Sequence, residues 1–130
     1  EPYGLNAAGI AAARIWDECV DYAMLKGARL ETFAGLAGVG DLTATVLAPN
    51  SRNRRAGELL GKGVPADQIP GRIRQASEGL DSVPLVAETL ARAGVSAPRL
   101  GGLAELIAGE IEPTEWIAGL RQAERRRRAA

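Results

Sequence analysis

Between Gly35 and Arg55 the chain reads GLAGVGDLTATVLAPNSRNRR. One acid, Asp41, is followed ten positions on by a hydroxyl, a guanidinium and a carboxamide in succession, Ser51, Arg52 and Asn53. A serine hydroxyl, the planar fork of an arginine and an amide are the donors that suit the oxygens of a phosphate ester. Two helix starts are expected here, near Asp41 and near Ser51. A helix start adds unpaired backbone N–H groups and a partial positive charge to such a set. Arg54 and Arg55 point elsewhere, since consecutive helical residues turn by about 100°. No strand pattern precedes the glycines, so the stretch is not a nucleotide-binding P-loop.

Each of these residues also has a plainer role. Ser51 and Asp41 are ordinary helix caps. Arg54 and Arg55 are placed to pair with Glu58 along one helix. Gly38 and Gly40 serve as punctuation. On spacing alone the stretch is a candidate anion site and no more.

The rest of the composition removes other chemistry. The 130 residues contain one cysteine, Cys19, and no histidine, which rules out disulfide frameworks, Cys/His zinc sites and histidine-dependent nucleophiles. Formal net charge is zero, so no bulk field draws the chain to nucleic acid or membrane. The run Arg125–Arg128 reads as a solvated helix end. No apolar run is long enough to span a bilayer and no signal-peptide pattern is visible, which points to the cytoplasm. The first residue is Glu1 rather than Met, as expected of a processed or excised piece.

Helices must position these groups. Apolar residues make up 46% of the chain but aromatics only 4%, so the core is built from Ala, Leu, Ile and Val. The periodicity predicts a helix over Asn6–Lys26, with Ile10, Ala13, Trp16, Cys19, Val20, Ala23 and Met24 inward and Arg14, Asp17, Glu18 and Asp21 outward. Short helices follow over Phe33–Ala37, ended by Gly38, and from Asp41 to Leu47, ended by Pro49. Another is capped by Ser51 and runs over Arg52–Leu60 to Gly61. Pro65 opens a short helix through Ile69 that Pro70 and Gly71 break. Asp81 or Ser82 caps a helix to Ala93, with Pro84 in its first turn and Val83, Val86 and Leu90 inward. Leu100–Gly109 and Thr114–Arg127 complete the set, the last buried along Trp116, Ile117 and Leu120. No strand alternation and no internal repeat are present. The expectation is an all-α single domain over 1–130, with about seven helices.

Read as a string, the stretch says more. TFAGLAGVGDL, Thr32 to Leu42, followed by SRNRRAGELLGKG, Ser51 to Gly63, resembles the bacterial-type NAD(P)-dependent glycerol-3-phosphate dehydrogenases. GLNA at Gly4 to Ala7, Arg14 with Glu18, QASEG at Gln75 to Gly79 and EIEPTEWIAGL near the end extend the resemblance over nearly the whole chain. It corresponds to that family's C-terminal substrate domain, an all-helical unit similar to the C-terminal domain of 6-phosphogluconate dehydrogenase. The resemblance implies that Asp41 is the supporting active-site aspartate near the substrate hydroxyls. It places Ser51, Arg52 and Asn53 on glycerol 3-phosphate or dihydroxyacetone phosphate, and Arg52, Ala76 and Glu78 toward the NAD or NADP cofactor.

It further implies reversible hydride transfer feeding glycerophospholipid synthesis, a Rossmann domain as partner, and a homodimer. The family's general acid/base lysine belongs just before the G-x-N-A block, upstream of Glu1, and neither Lys26 nor Lys62 stands in its place. The isolated chain is therefore expected to be inactive. The family's T-R-G reads Ala13-Arg14-Ile15 here, and Ala76 stands where its valine is expected. Two other readings stay open: a non-catalytic helical binding or dimerisation module, and a dehydrogenase acting on another phosphorylated hydroxy-substrate.

Overall fold

The computed structural model describes residues 4–48 and 50–128, with nothing to say of the side chains of residues 4–7, Leu47 and residues 121–128. Pro49 and the side chains of Arg125–Arg128 lie outside the described residues. Within these limits the chain is all-α: eight α-helices and no strand. They are α1 (Gly4–Leu25), α2 (Leu30–Ala34), α3 (Asp41–Leu47), α4 (Arg52–Leu60), α5 (Ile69–Ile73), α6 (Glu78–Arg92), α7 (Pro98–Ala108) and α8 (Pro113–Arg128). A π turn over Leu36–Gly40 precedes α3, and a 3-10 turn over Ala66–Gln68 precedes α5.

The core forms where α4, α5 and α7 meet. Ala56, Leu60, Ile69, Ile73 and Leu106 are buried there, with Leu80, Leu103 and Trp116 packed against them. Leu90 of α6 and Leu100 of α7 are buried as well. Helix α8 is held by Trp116, whose indole N–H donates to the Arg99 carbonyl at 3.1 Å. The α7 surface must be bare at that point, because a Cβ on Gly102 would lie 3.0 Å from the Trp116 ring. Trp116, Ile117 and Leu120, expected buried, are half-buried.

The first three helices pack differently. Trp16 of α1 meets Phe33 of α2 edge-on, with centroids 5.8 Å apart. Ile10, Ala13 and Met24, expected inward, are exposed, and Val20, Ala23 and Cys19 are half-buried. Among the described side chains of α1 the buried one is Glu18, expected on the polar face and only 3% exposed. Its Oε1 accepts from the Arg99 backbone N–H at 3.0 Å and from the Arg99 guanidinium at 3.3 Å, and its Oε2 accepts from the Leu100 N–H at 2.9 Å. The carboxylate thus caps α7, whose own N-cap residue, Ala97, has no side chain able to do so.

Other expected boundaries move for local reasons. Helix α2 starts at Leu30, and the chain passes through Gly38 in a π turn instead of stopping there. Gly38 is buried against the Phe33 backbone, and a Cβ would run into the Phe33 carbonyl. Gly40 has helical dihedrals and the Asp41 N–H is already bonded within the π turn, so Asp41 is the first residue of α3 and not its cap. Pro70 sits inside α5 instead of breaking it, because a proline in the first turn gives up no helical hydrogen bond. Arg74, left-handed at φ 53°, ends that helix. Helix α6 begins at Glu78, before the expected Asp81 or Ser82, which leaves Pro84 in its interior. Of its expected inward set Leu90 is buried, Val83 half-buried and Val86 exposed.

Candidate functional site

The sequence around Ser51 folds as its residue types dictate. Ser51 is extended, φ −58° and ψ 125°, and its Oγ accepts from the Arg54 N–H at 3.4 Å, which makes it the N-cap of α4. Arg54 reaches back along the helix to Glu58, Nε to Oε1 3.1 Å, as its i, i+4 spacing requires. Arg52 stands at the first helical position and is exposed, with no carboxylate partner among the described residues. Arg54 is therefore committed to an ion pair, while Arg55, expected to share Glu58, and Arg52 have no carboxylate partner among the described residues, and of these two Arg52 lies on the cleft described next.

Asn53 points the other way, into the start of α6. Its Oδ1 accepts from the Ser77 hydroxyl at 3.0 Å and from the Gly79 N–H at 3.1 Å. This contact draws the N-termini of α4 and α6 together. Between them and the end of α3 lies a cleft of about 280 Å³, lined by Thr45, Ala48, Asn50, Ser51, Arg52, Asn53 and Glu78. Pockets that enclose drug-sized ligands run to about 300–1,000 Å³, so this one suits a smaller molecule.

The cleft brings together four of the residues singled out from the sequence: Ser51, Arg52, Asn53 and Glu78. Two others stand outside its wall. Asp41 lies one turn before Thr45 on α3, so the two share a helix face, but only Thr45 lines the cleft. Ala76 is exposed two residues before Glu78 and is not part of the lining. Thr45, Ala48 and Asn50 were not anticipated, because no spacing rule joins the end of α3 to the start of α4 across a turn.

The electrostatics are two-sided. The α4 N-terminus, the free Arg52 guanidinium and the Ser51 hydroxyl favour an anion. Glu78 opposes them with a carboxylate that accepts from hydroxyl or amide groups and would repel a second anion. A ligand matching both sides carries an anionic group beside hydroxyl or amide groups. A cleft of about 280 Å³ is too small for a whole dinucleotide, and no strand is available among the described residues to carry a glycine-rich phosphate turn.

The C-terminal region of NAD-dependent glycerol-3-phosphate dehydrogenase, as a family model, matches residues 2–118. The chain belongs to this family. Among curated glycerol-3-phosphate dehydrogenases (NAD(P)+), that of Sphingopyxis alaskensis is 38% identical over 117 residues, covering 90% of this chain and 36% of its own length. The enzyme of Caulobacter vibrioides is 40% identical over 118 residues, 90% of this chain and 35% of its own. That of Leptothrix cholodnii is 37% identical over 123 residues, 95% and 36% respectively. The chain thus spans about a third of the length of the curated relatives it matches. No solved structure matches it significantly. No described helix is long and apolar enough to cross a membrane.

Proposed function

We propose that residues 1–130 are the helical substrate domain of an NAD(P)-dependent glycerol-3-phosphate dehydrogenase. The cleft between α4 and α6 holds the phosphate of glycerol 3-phosphate or dihydroxyacetone phosphate. Ser51 contributes its hydroxyl and helix start, Arg52 a bidentate charged contact, and Asn53 the donor end of its amide. Asp41, one turn back along α3, faces the substrate hydroxyls and supports the reacting end. Glu78 takes hydroxyls of the dinucleotide, with Arg52 and the Ala76 turn completing that side.

The reduced nicotinamide, held mainly by a Rossmann partner domain, supplies the hydride that converts the ketone to the secondary alcohol. A lysine of the partner domain handles the proton. This chain fixes the phosphate so that the carbonyl carbon sits at a constant place, which lowers the entropic part of the barrier. Alone it turns over no substrate. In the cell the protein works as a cytoplasmic homodimer, without nucleic-acid or membrane partners, and delivers glycerol 3-phosphate to glycerophospholipid synthesis.

The observation that carries this reading is the pairing pattern on α4: Arg54 is neutralised by Glu58, whereas Arg52, on the cleft, has no carboxylate partner among the described residues. The test is Arg52→Ala in the protein joined to its dinucleotide-binding domain. KM for dihydroxyacetone phosphate should rise roughly 10- to 100-fold, the loss expected for a hydrogen bond to a charged group. An unchanged KM refutes the phosphate assignment. If the joined wild-type protein is inert toward dihydroxyacetone phosphate with both NADH and NADPH, the non-catalytic module replaces this reading. Turnover of a different phosphorylated hydroxy-substrate would keep the site and change the substrate.

A further inference from the structure

A carboxamide binds through either end, and only one end suits a phosphate. The oxygen accepts and the nitrogen donates, so an asparagine must be turned with Nδ2 toward the anion. We propose that Ser77 and Gly79 are positioning residues that hold Asn53 in that orientation. The proposal rests on the reading of the cleft as a phosphate site.

Three observations carry it. First, the Gly79 backbone N–H can only donate, and it lies 3.1 Å from the amide oxygen of Asn53. A flipped amide would set N–H against N–H, so Gly79 fixes which end faces α6. Second, the Ser77 hydroxyl, on a residue only 3% exposed, adds a second bond to the same oxygen at 3.0 Å. With Oδ1 engaged by both donors, the nitrogen is the end left for the cleft that Asn53 lines. Third, the approach requires a glycine. A Cβ at position 79 would stand 3.0 Å from Oδ1 and 3.4 Å from Cγ of Asn53, so an alanine pushes the carboxamide aside.

Neither Ser77 nor Gly79 lines the cleft. In this proposal their effect on substrate passes through Asn53, which accepts from both, and not through Glu78 between them, so its dependence on Asn53 is what distinguishes positioning from a general structural role. It also gives the glycine and serine of QASEG a part in substrate binding, separate from the part of Glu78 between them.

The experiment is a set of double-mutant cycles in the intact dehydrogenase, read as KM and kcat for dihydroxyacetone phosphate. Ser77→Ala and Gly79→Ala should each raise KM roughly five-fold, the effect of one neutral hydrogen bond, with kcat little changed. In an Asn53→Ala background each should add nothing. In an Arg52→Ala background each should keep its full factor. Equal factors in the Asn53→Ala and wild-type backgrounds would show that the two residues act by another route and would overturn the proposal.

Asn53→Asp guards against misfolding of the alanine variants. It keeps an oxygen for Ser77 and Gly79 but turns a second, anionic oxygen to the cleft, so its melting temperature should stay near wild type while KM rises beyond that of Asn53→Ala. An Asn53→Asp KM no worse than that of Asn53→Ala overturns the orientation. If Arg52→Ala and Asn53→Ala both leave KM unchanged, the phosphate reading itself fails. If both raise it and the cycles are additive, only the positioning role fails.

Discussion

Helices α6 and α7 both begin on a side chain that another helix lends, and the two loans differ in kind. At α7 the lender is Glu18 of α1, a buried carboxylate that accepts two backbone N–H groups and the Arg99 guanidinium. At α6 the lender is Asn53 of α4, an exposed neutral amide that accepts one backbone N–H and the Ser77 hydroxyl. Both satisfy donors that the local sequence leaves open: Ala97 cannot cap α7, and Ser77 makes no cap bond to α6. A carboxylate uses both oxygens on the structure and has no donor left over. A carboxamide uses its oxygen on the structure and keeps its nitrogen for a ligand. The first junction is built for stability, and the second can serve stability and binding together.

Glu18→Ala should break the contrast most severely. It strands two backbone donors and leaves Arg99 without its partner, for a loss of about 3 kcal/mol of unfolding free energy by chemical denaturation. A loss no larger than that of an ordinary surface cap would mean that α7 does not depend on α1. Asn53→Ala should cost only about 1 kcal/mol, the usual worth of a cap, while impairing substrate binding in the intact enzyme. A large stability loss there would make the two junctions alike.

The neighbour of Glu18 provides a finer test. Burial pushes the Cys19 thiol above its ordinary range, and the Glu18 charge adds to the shift. The folded state disfavours the thiolate, so this group supports the fold below the ordinary thiol range and loses that support as pH rises through the raised pKa. Alkylation by iodoacetamide at about pH 8 should be slower in the folded chain than in the unfolded one. Glu18→Gln should speed it. The smallest effect belongs to Arg54→Ala, about 0.3 kcal/mol, since an exposed i, i+4 pair contributes little. Arg52, on the cleft, should dominate binding instead if the proposed function holds.

What could be read from the chain follows the range of the interactions. Ser51 as a cap and Arg54 paired with Glu58 involve residues three and four apart, where helix geometry alone decides who meets. Helix type was legible for the same reason, except at α5, where Pro70 and Gly71 were expected to break the chain, and in the π turn over Leu36–Gly40. The facing of α1 was not. Its apolar stripe predicts Ile10 and Met24 inward, yet both are exposed and Glu18 is buried, because the partner surface is the N-terminus of a helix some eighty residues on. Helix α6 starts before its expected cap because the acceptor comes from Asn53, 26 positions earlier.

The sequence by itself therefore determined the all-α class, the α4 cap and its ion pair, and, through its motifs, the dehydrogenase family. These depend on periodicity, on near neighbours or on whole strings of residues. Only the tertiary structure decided which end of Asn53 is committed to the fold, that Glu78 joins the α4 N-terminus at one cleft while Asp41 and Ala76 stand outside its wall, and that a carboxylate of α1 is buried. Unpaired N–H groups at a helix start must find an acceptor wherever packing brings one, and neither pattern nor propensity records where that is.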